Sequence, residues 1–164
     1  MTDERMVTLL HRVNQEEIAA GGLAQKKGTS ADIRNYGMRL LADHTRSDQE
    51  VMAAAKRAGI SPNDSALTAH DKEMMRVERT RMDQLKRMSG REFDEAFAQE
   101  LSRDHDHMAS MLRDNRKQVS APIQELVENT LPVLEEHKDL ADKATSSVRK
   151  SSSNLGRARE PVKR

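Results

Sequence analysis

Four polar residues interrupt the apolar faces of four predicted amphipathic helices. They are Glu17, His44, His105 and His137. Each stands where spacing by three and four residues would otherwise place an apolar side chain toward the protein interior. Imidazole nitrogens and carboxylate oxygens are ligands that suit zinc, iron and manganese. If the four side chains meet, the sequence predicts a binding site for a divalent metal ion.

The helices that carry these residues can be placed from the apolar spacing and its breaks. We predict them over residues 3–27, 31–58, 91–119 and 121–148. Gly28 and Ser30 leave only a short link between the first two, so these should run antiparallel. Each of the four polar residues lies within about three residues of the middle of its helix, or ~4 Å at a rise of 1.5 Å per residue. In antiparallel helices of similar length, they should therefore lie at one height.

A fifth helix is predicted over residues 66–88, after the turn-forming sequence at residues 61–65. Its apolar stripe is weak and lies between many charged residues. We therefore expect a connecting helix on the outside of the bundle, more exposed than the other helices.

Pro132 lies inside the last predicted helix. A proline there removes a backbone hydrogen-bond donor and crowds the preceding turn. We therefore expect the helix to kink, or to restart at Asn129 or Thr130.

The composition also indicates an all-α protein. The chain has 164 residues, of which 35% are hydrophobic, 34% are charged and 2% are aromatic. This balance is typical of a helical bundle, and the length suits one domain, which we place at residues 1–148. The chain has no cysteine, which excludes disulfides, thiolate metal sites and a catalytic cysteine.

Residues 149–164 differ from the rest of the chain in composition. They contain six cationic residues against one glutamate, together with serine, glycine and proline. We predict a disordered basic tail that could contact an anionic partner weakly. The near absence of aromatic side chains for base stacking argues against a specific nucleic-acid partner.

No apolar run approaches the ~20 residues that a membrane-spanning helix needs. The first five residues lack the basic and then apolar layout of a signal peptide, so we expect no such peptide within this sequence.

Several short sequences, taken in their order along the chain, resemble a known bacterial family, domain of unknown function 4142. They are Glu-Ile-Ala-Ala-Gly-Gly-Leu-Ala at 17–24, Ala-Asp-His-Thr at 42–45, Gly-Arg-Glu-Phe-Asp at 90–94, Arg-Asp-His at 103–105 and Thr-Leu-Pro-Val-Leu-Glu-Glu-His at 130–137. The likeness covers roughly residues 4–144. It implies a ferritin-like antiparallel four-helix bundle with an additional connecting helix. It also implies a mostly exported family with no settled activity.

The surroundings of the three histidines favour one kind of metal site over another. Acidic residues next to them or one turn away are candidates for hydrogen bonds that orient the imidazoles, namely Asp43, Asp48, Asp104 and Glu136. The di-iron sites of ferritin-like enzymes need Glu-x-x-His on two helices. Here Leu41, Ser102 and Leu134 stand three residues before the histidines. This departure argues against a two-iron oxidase or an iron-storage site.

A second interpretation of the same residues needs no ion. Buried histidines and a glutamate can satisfy one another by hydrogen bonds and so hold helices in register. The protein would then be a structural or stress-related interaction module with a polar centre. The two interpretations, a metal-binding bundle and an ion-free hydrogen-bond network, predict different responses to added metal.

Overall fold

All the regular secondary structure in the described residues is helical. A computed structural model describes the backbone of residues 1–157 and the side chains of residues 1–150. Within this range it has no β-strand, and no helix combines the length and apolar character needed to cross a membrane. The helices are α1 (Asp3–Lys27), α2 (Ala31–Ala58), α3 (Ala69–Arg87), α4 (Gly90–Asn115) and α5 (Ala121–Arg157). The predicted all-α class is confirmed.

The core consists of two apolar clusters, and α1, α2, α4 and α5 contribute to both. The first cluster contains the N-terminal part of α1, the C-terminal parts of α2 and α4, and the N-terminal part of α5. The second cluster contains the opposite part of each helix. Helices α1 and α5 therefore run from the first cluster to the second, and α2 and α4 run the other way. The middle of all four helices lies between the clusters.

Helix α3 connects α2 to α4 along the outside of the core. Its only buried residues are Asp71 and Leu85, which confirms the predicted exposed connecting helix. It begins at Ala69 rather than at residue 66, because residues 64–66 form a 3₁₀ turn and Thr68 caps the α-helix. The Arg5 guanidinium bonds to the Asp71 carboxylate at 2.7 and 2.8 Å and fixes the start of α3 on α1. Burial raises the pKa of Asp71, but the bonds from Arg5 and Thr68 outweigh burial and lower that pKa to about 2.

Two predicted features of α5 differ from the structure. The predicted restart at Asn129 or Thr130 does not occur, because the helix is continuous through Pro132, whereas the alternative of a kink stays a prediction. Pro132 is exposed, and so is Glu128, whose carbonyl loses its helical partner and can bond to water. The helix also continues past the predicted boundary at Val148 to Arg157. Residues 158–164 of the predicted tail lie outside the described residues, and the proposed division at residue 148 stays a prediction.

Helices α1 and α2 approach each other closely at two glycines. A Cβ atom on Gly21 would lie 2.6 Å from the backbone oxygen of Gly37 and 2.8 Å from the backbone nitrogen of Leu41. A Cβ atom on the neighbouring Gly22 would have no atom within 4 Å. Gly21 therefore permits the close packing of the helices, whereas Gly22 faces open space.

This contrast gives a matched pair of substitutions. We expect Gly21→Ala to lower the free energy of unfolding by about 1–3 kcal/mol, because the new methyl group must push two backbones apart. Gly22→Ala should raise it by about 0.5–1 kcal/mol, because alanine favours the helix and meets no neighbour. Urea unfolding of both variants tests the pair. Equal effects of the two substitutions would contradict the close contact.

Candidate metal centre

Three imidazole rings meet between the two apolar clusters. They belong to His44 on α2, His105 on α4 and His137 on α5, and at most 3% of each residue is exposed. One ring nitrogen of each lies within 4.8 Å of one ring nitrogen of the other two. The ring centroids are 5.1–5.7 Å apart. We call these three residues the histidine centre.

Hydrogen bonds from outside the centre determine the tautomers of two rings. His44 Nδ1 lies 2.9 Å from the Asn14 side-chain oxygen, and His105 Nδ1 lies 2.7 Å from the Leu101 carbonyl oxygen. Both oxygens can only accept, so both Nδ1 atoms carry the proton. In the neutral rings, each Nε2 atom therefore presents a lone pair. Donation of the second ring nitrogen to a carbonyl or carboxylate is typical of histidines that bind metal ions.

His137 cannot satisfy both of its neighbours as a neutral ring. Its Nε2 atom lies 3.0 Å from the Asp43 carboxylate, and its Nδ1 atom lies 3.3 Å from Nε2 of His105. If Nε2 donates to Asp43, then Nδ1 directs a lone pair at the lone pair of His105. If Nδ1 donates to His105, then Nε2 directs a lone pair at the carboxylate. Either neutral tautomer leaves one unfavourable contact.

Burial keeps the centre in its neutral form. It lowers the pKa of His44 well below the usual value, and the two neighbouring imidazoles lower it further. Burial and then His137 lower the pKa of His105 to about 3. Burial also lowers the pKa of His137, although Asp43 opposes this shift. Neutral imidazole is the form that binds a metal ion.

The predicted fourth ligand, Glu17, is not part of this cluster. Among the described residues, the three histidines are the only group of three or more potential ligands whose ligand atoms all lie within 4.8 Å of one another. Glu17 is buried and lines an adjacent cavity that also contacts His105. Burial, followed by the nearby Asp104 and Glu78, raises the pKa of Glu17 well above its usual value. The α1 residue that contacts the histidine centre is Asn14, one turn earlier.

The four residues predicted to orient the imidazoles have different partners. Asp43 contacts His137, a histidine on another helix. The other three do not bond to the histidine centre. Asp48 bonds to His11 and Gln15. Asp104 lies 3.8 Å from Arg81, and Glu136 bonds to Arg39. The sequence interpretation missed Asn14 and the Leu101 carbonyl. Asn14 lies one turn before Glu17 on α1, close enough in direction to be a candidate, but the sequence does not decide between the two residues.

The family assignment agrees with the sequence resemblance. The model of a family described as a domain of unknown function (DUF4142) matches residues 1–144. The chain belongs to this family. The matched range includes the whole histidine centre and the side chains that bond to it, from Asn14 to His137. No curated protein and no solved structure shows significant similarity to the chain. The family description names no activity, so a function must be argued from the site.

Proposed function

We propose that the histidine centre binds one divalent transition-metal ion through His44, His105 and His137. One observation carries this proposal. Nε2 of His44 is buried and has no hydrogen-bond partner, although Nδ1 of the same ring is held by Asn14. An unprotonated ring nitrogen that is buried beside two other imidazoles is what a metal ligand presents before it binds.

An ion would also relieve the strained arrangement of the free centre. A buried polar atom without a partner costs about 1–3 kcal/mol, and His44 contributes one such atom. The conflict at His137 adds to this cost, because its two neighbours cannot both be satisfied by a neutral ring. With Nε2 of His137 donating to Asp43, its Nδ1 lone pair and those of the other two rings are free to bind an ion.

The donor atoms favour some ions over others. Imidazole nitrogens suit zinc, iron, copper and nickel, whereas manganese prefers carboxylate and carbonyl oxygens. Since Glu17 lies outside the cluster, we favour zinc and iron over manganese. Three protein ligands leave one coordination position for water or another ligand.

We also propose that the helices form a ferritin-like antiparallel four-helix bundle. Helices α1 and α5 run in one direction and α2 and α4 in the other, as their parts in the two clusters require. Helix α3 carries the chain across the length of the bundle between α2 and α4. One long crossover between parallel helices is the connectivity of ferritin-like bundles.

Metal analysis tests the binding proposal. We expect the protein, purified without a histidine tag and incubated with zinc, to retain about one ion per chain after desalting. A His44→Gln, His105→Gln, His137→Gln triple variant should retain none. The control is a His70→Gln, His107→Gln double variant, which removes two exposed histidines and should keep the ion. Metal-free wild-type protein, or an ion retained by the triple variant, would contradict the proposal.

The ion-free network is the second candidate function, and one observation favours it. A continuous chain of contacts runs from the Leu101 carbonyl through His105 and His137 to Asp43. Such a network could hold α2, α4 and α5 in register without an ion. It predicts wild-type protein that retains no zinc in the same analysis.

A further inference from the structure

Two cavities reach the histidine centre from opposite sides. One has a volume of about 270 Å³, lies between α1, α3 and α4, and contacts His105. The other has a volume of about 370 Å³, lies between α2 and α5, and contacts His44. The histidines themselves are almost completely buried. An ion that binds there must therefore pass through a cavity or through an opening of the helices.

The two cavities differ strongly in charge. Six carboxylates and two cationic side chains line the first, which we call the acidic cavity. The second is lined by two carboxylates and two guanidinium groups, those of Arg39 and Arg46. A cleft of one sign between low-dielectric walls concentrates ions of the opposite sign. A cation is therefore attracted to the acidic cavity and not to the second one.

The cationic side chains of the acidic cavity lie at its exposed end. Arg79 and Lys86 are 70% and 56% exposed. Each is paired at that end, Arg79 with Glu16 at 3.5 Å and Lys86 with Asp83 at 2.8 Å. In the deeper part, Glu100 pairs with Arg81 and Arg103, and Asp104 lies 3.8 Å from Arg81. Glu17 and Glu78 are the carboxyl groups of the cavity that form no ion pair among the described residues.

Glu17 is the buried residue in the deeper part of the acidic cavity on which the argument for a bound cation depends. Only 8% of it is exposed, and its Oε2 atom is buried without a hydrogen-bond partner. Nearly all buried polar atoms in proteins have a partner, so this oxygen on the wall of the cavity is a group to which a hydrated cation can bind. Glu78 faces the same cavity from α3. Burial, and then the neighbouring carboxylates, raises the pKa of Glu78 to about 7, a crowding that a bound cation would relieve.

The size of the acidic cavity and the spacing of its carboxylates determine which cation fits. Among the described residues, no three carboxylates of this cavity bring oxygen atoms within 4.8 Å of one another, as the histidines do with their nitrogens. At most two of them can therefore bind one ion directly. The cavity has room for several waters, each of which takes about 30 Å³ in the liquid. A divalent cation that keeps several of its waters needs only one or two carboxylates, so the cavity suits a hydrated divalent cation.

We propose that the acidic cavity is an access site, in which Glu17 and Glu78 hold a hydrated divalent cation before it passes His105 into the histidine centre. This inference rests on the proposed metal binding. It assigns Glu17 a role in the rate of uptake and not in the final coordination of the ion.

Uptake kinetics test this access site. Metal-depleted, tag-free protein is mixed with cobalt(II) chloride in a stopped-flow instrument, and the cobalt absorption that develops on imidazole coordination is followed. Glu17→Gln and Glu78→Gln should each slow uptake about tenfold, because the entering cation displaces the proton from either carboxyl group, whereas an amide cannot become an anion. Affinity at equilibrium should stay within about threefold of wild type. The slowing should shrink as salt is added. Glu50→Gln removes a carboxylate from the second cavity and serves as the matched control.

The outcomes separate the access site from the metal centre. Unchanged rates in both acidic-cavity variants, or slowing by Glu50→Gln alone, would overturn the access site while leaving the centre intact. A Glu17→Gln variant with wild-type uptake but weaker affinity would make Glu17 a direct ligand, which also overturns the access site. If wild-type protein binds no cobalt at equilibrium, the metal centre itself fails, and the access site fails with it.

Discussion

Saturating zinc should raise the melting temperature of the metal-depleted protein by about 8–16 °C, with free zinc a thousandfold above Kd. Binding to the folded state alone adds about 4 kcal/mol to stability at that excess. For a chain of this size each kcal/mol is equivalent to about 2–4 °C. Thermal unfolding followed by circular dichroism, with and without zinc, measures the shift.

The same experiment distinguishes a specific site from surface binding. His44→Gln removes the imidazole whose Nε2 atom has no partner, and the zinc-dependent shift should fall to a small fraction of the wild-type value. His107→Gln removes an exposed histidine from α4 and should keep the full shift. A chelator should reverse the effect of zinc. A shift of the same size in His44→Gln and wild type would rule out His44 as a ligand.

The meeting of the three histidines could be predicted because helix geometry alone determines height. Each residue adds 1.5 Å along a helix, and antiparallel helices of similar length share a middle. His44, His105 and His137 stand near the middle of their helices, and the structure brings them together between the two apolar clusters. The glycines at 28 and 59 likewise predicted the C-terminal ends of α1 and α2, which agree with the structure.

The choice between Asn14 and Glu17 could not be predicted, because it depends on the rotation of α1 about its axis. The two residues are one turn apart and point about 60° away from each other around the helix, at 100° per residue. A modest rotation would exchange them. Contacts with α2, including the close approach of Gly21 to Gly37, determine that rotation, and such contacts leave no local trace in the sequence. The apolar periodicity therefore predicted the height of the α1 residue that contacts the histidine centre, but not which of two neighbouring directions around α1 points toward that centre.

Asp94 was missed for a related reason. It lies in the first turns of α4, at the end of the family-like sequence 90–94, but nothing in that sequence indicates which groups its carboxylate contacts. In the structure it is 1% exposed and accepts three hydrogen bonds from the link between α1 and α2. The donors are the Thr29 backbone nitrogen at 3.0 Å, the Thr29 hydroxyl at 2.6 Å and the Ser30 backbone nitrogen at 2.8 Å. These partners are more than sixty residues away along the chain, so no short-range pattern reveals them.

Asp94→Ala should therefore lower the free energy of unfolding by about 3–4 kcal/mol. A hydrogen bond to a charged group contributes about 1.5–3 kcal/mol, and water can restore part of the loss at the half-exposed link. Asp94→Asn keeps one accepting oxygen and should lose less than alanine does. Urea unfolding at neutral pH, with all variants free of metal, measures these differences.

Asp106→Ala is the matched control, because Asp106 is an exposed aspartate on the same helix. It should change stability by less than about 0.5 kcal/mol. Since Asp94 lies near one end of α4 and His105 near its middle, Asp94→Ala should also keep the zinc-dependent increase in stability. Equal stability of Asp94→Ala and Asp106→Ala would mean that water replaces all three bonds. Loss of the zinc effect in Asp94→Ala would mean that the α1–α2 link positions the histidine centre as well as stabilising the fold.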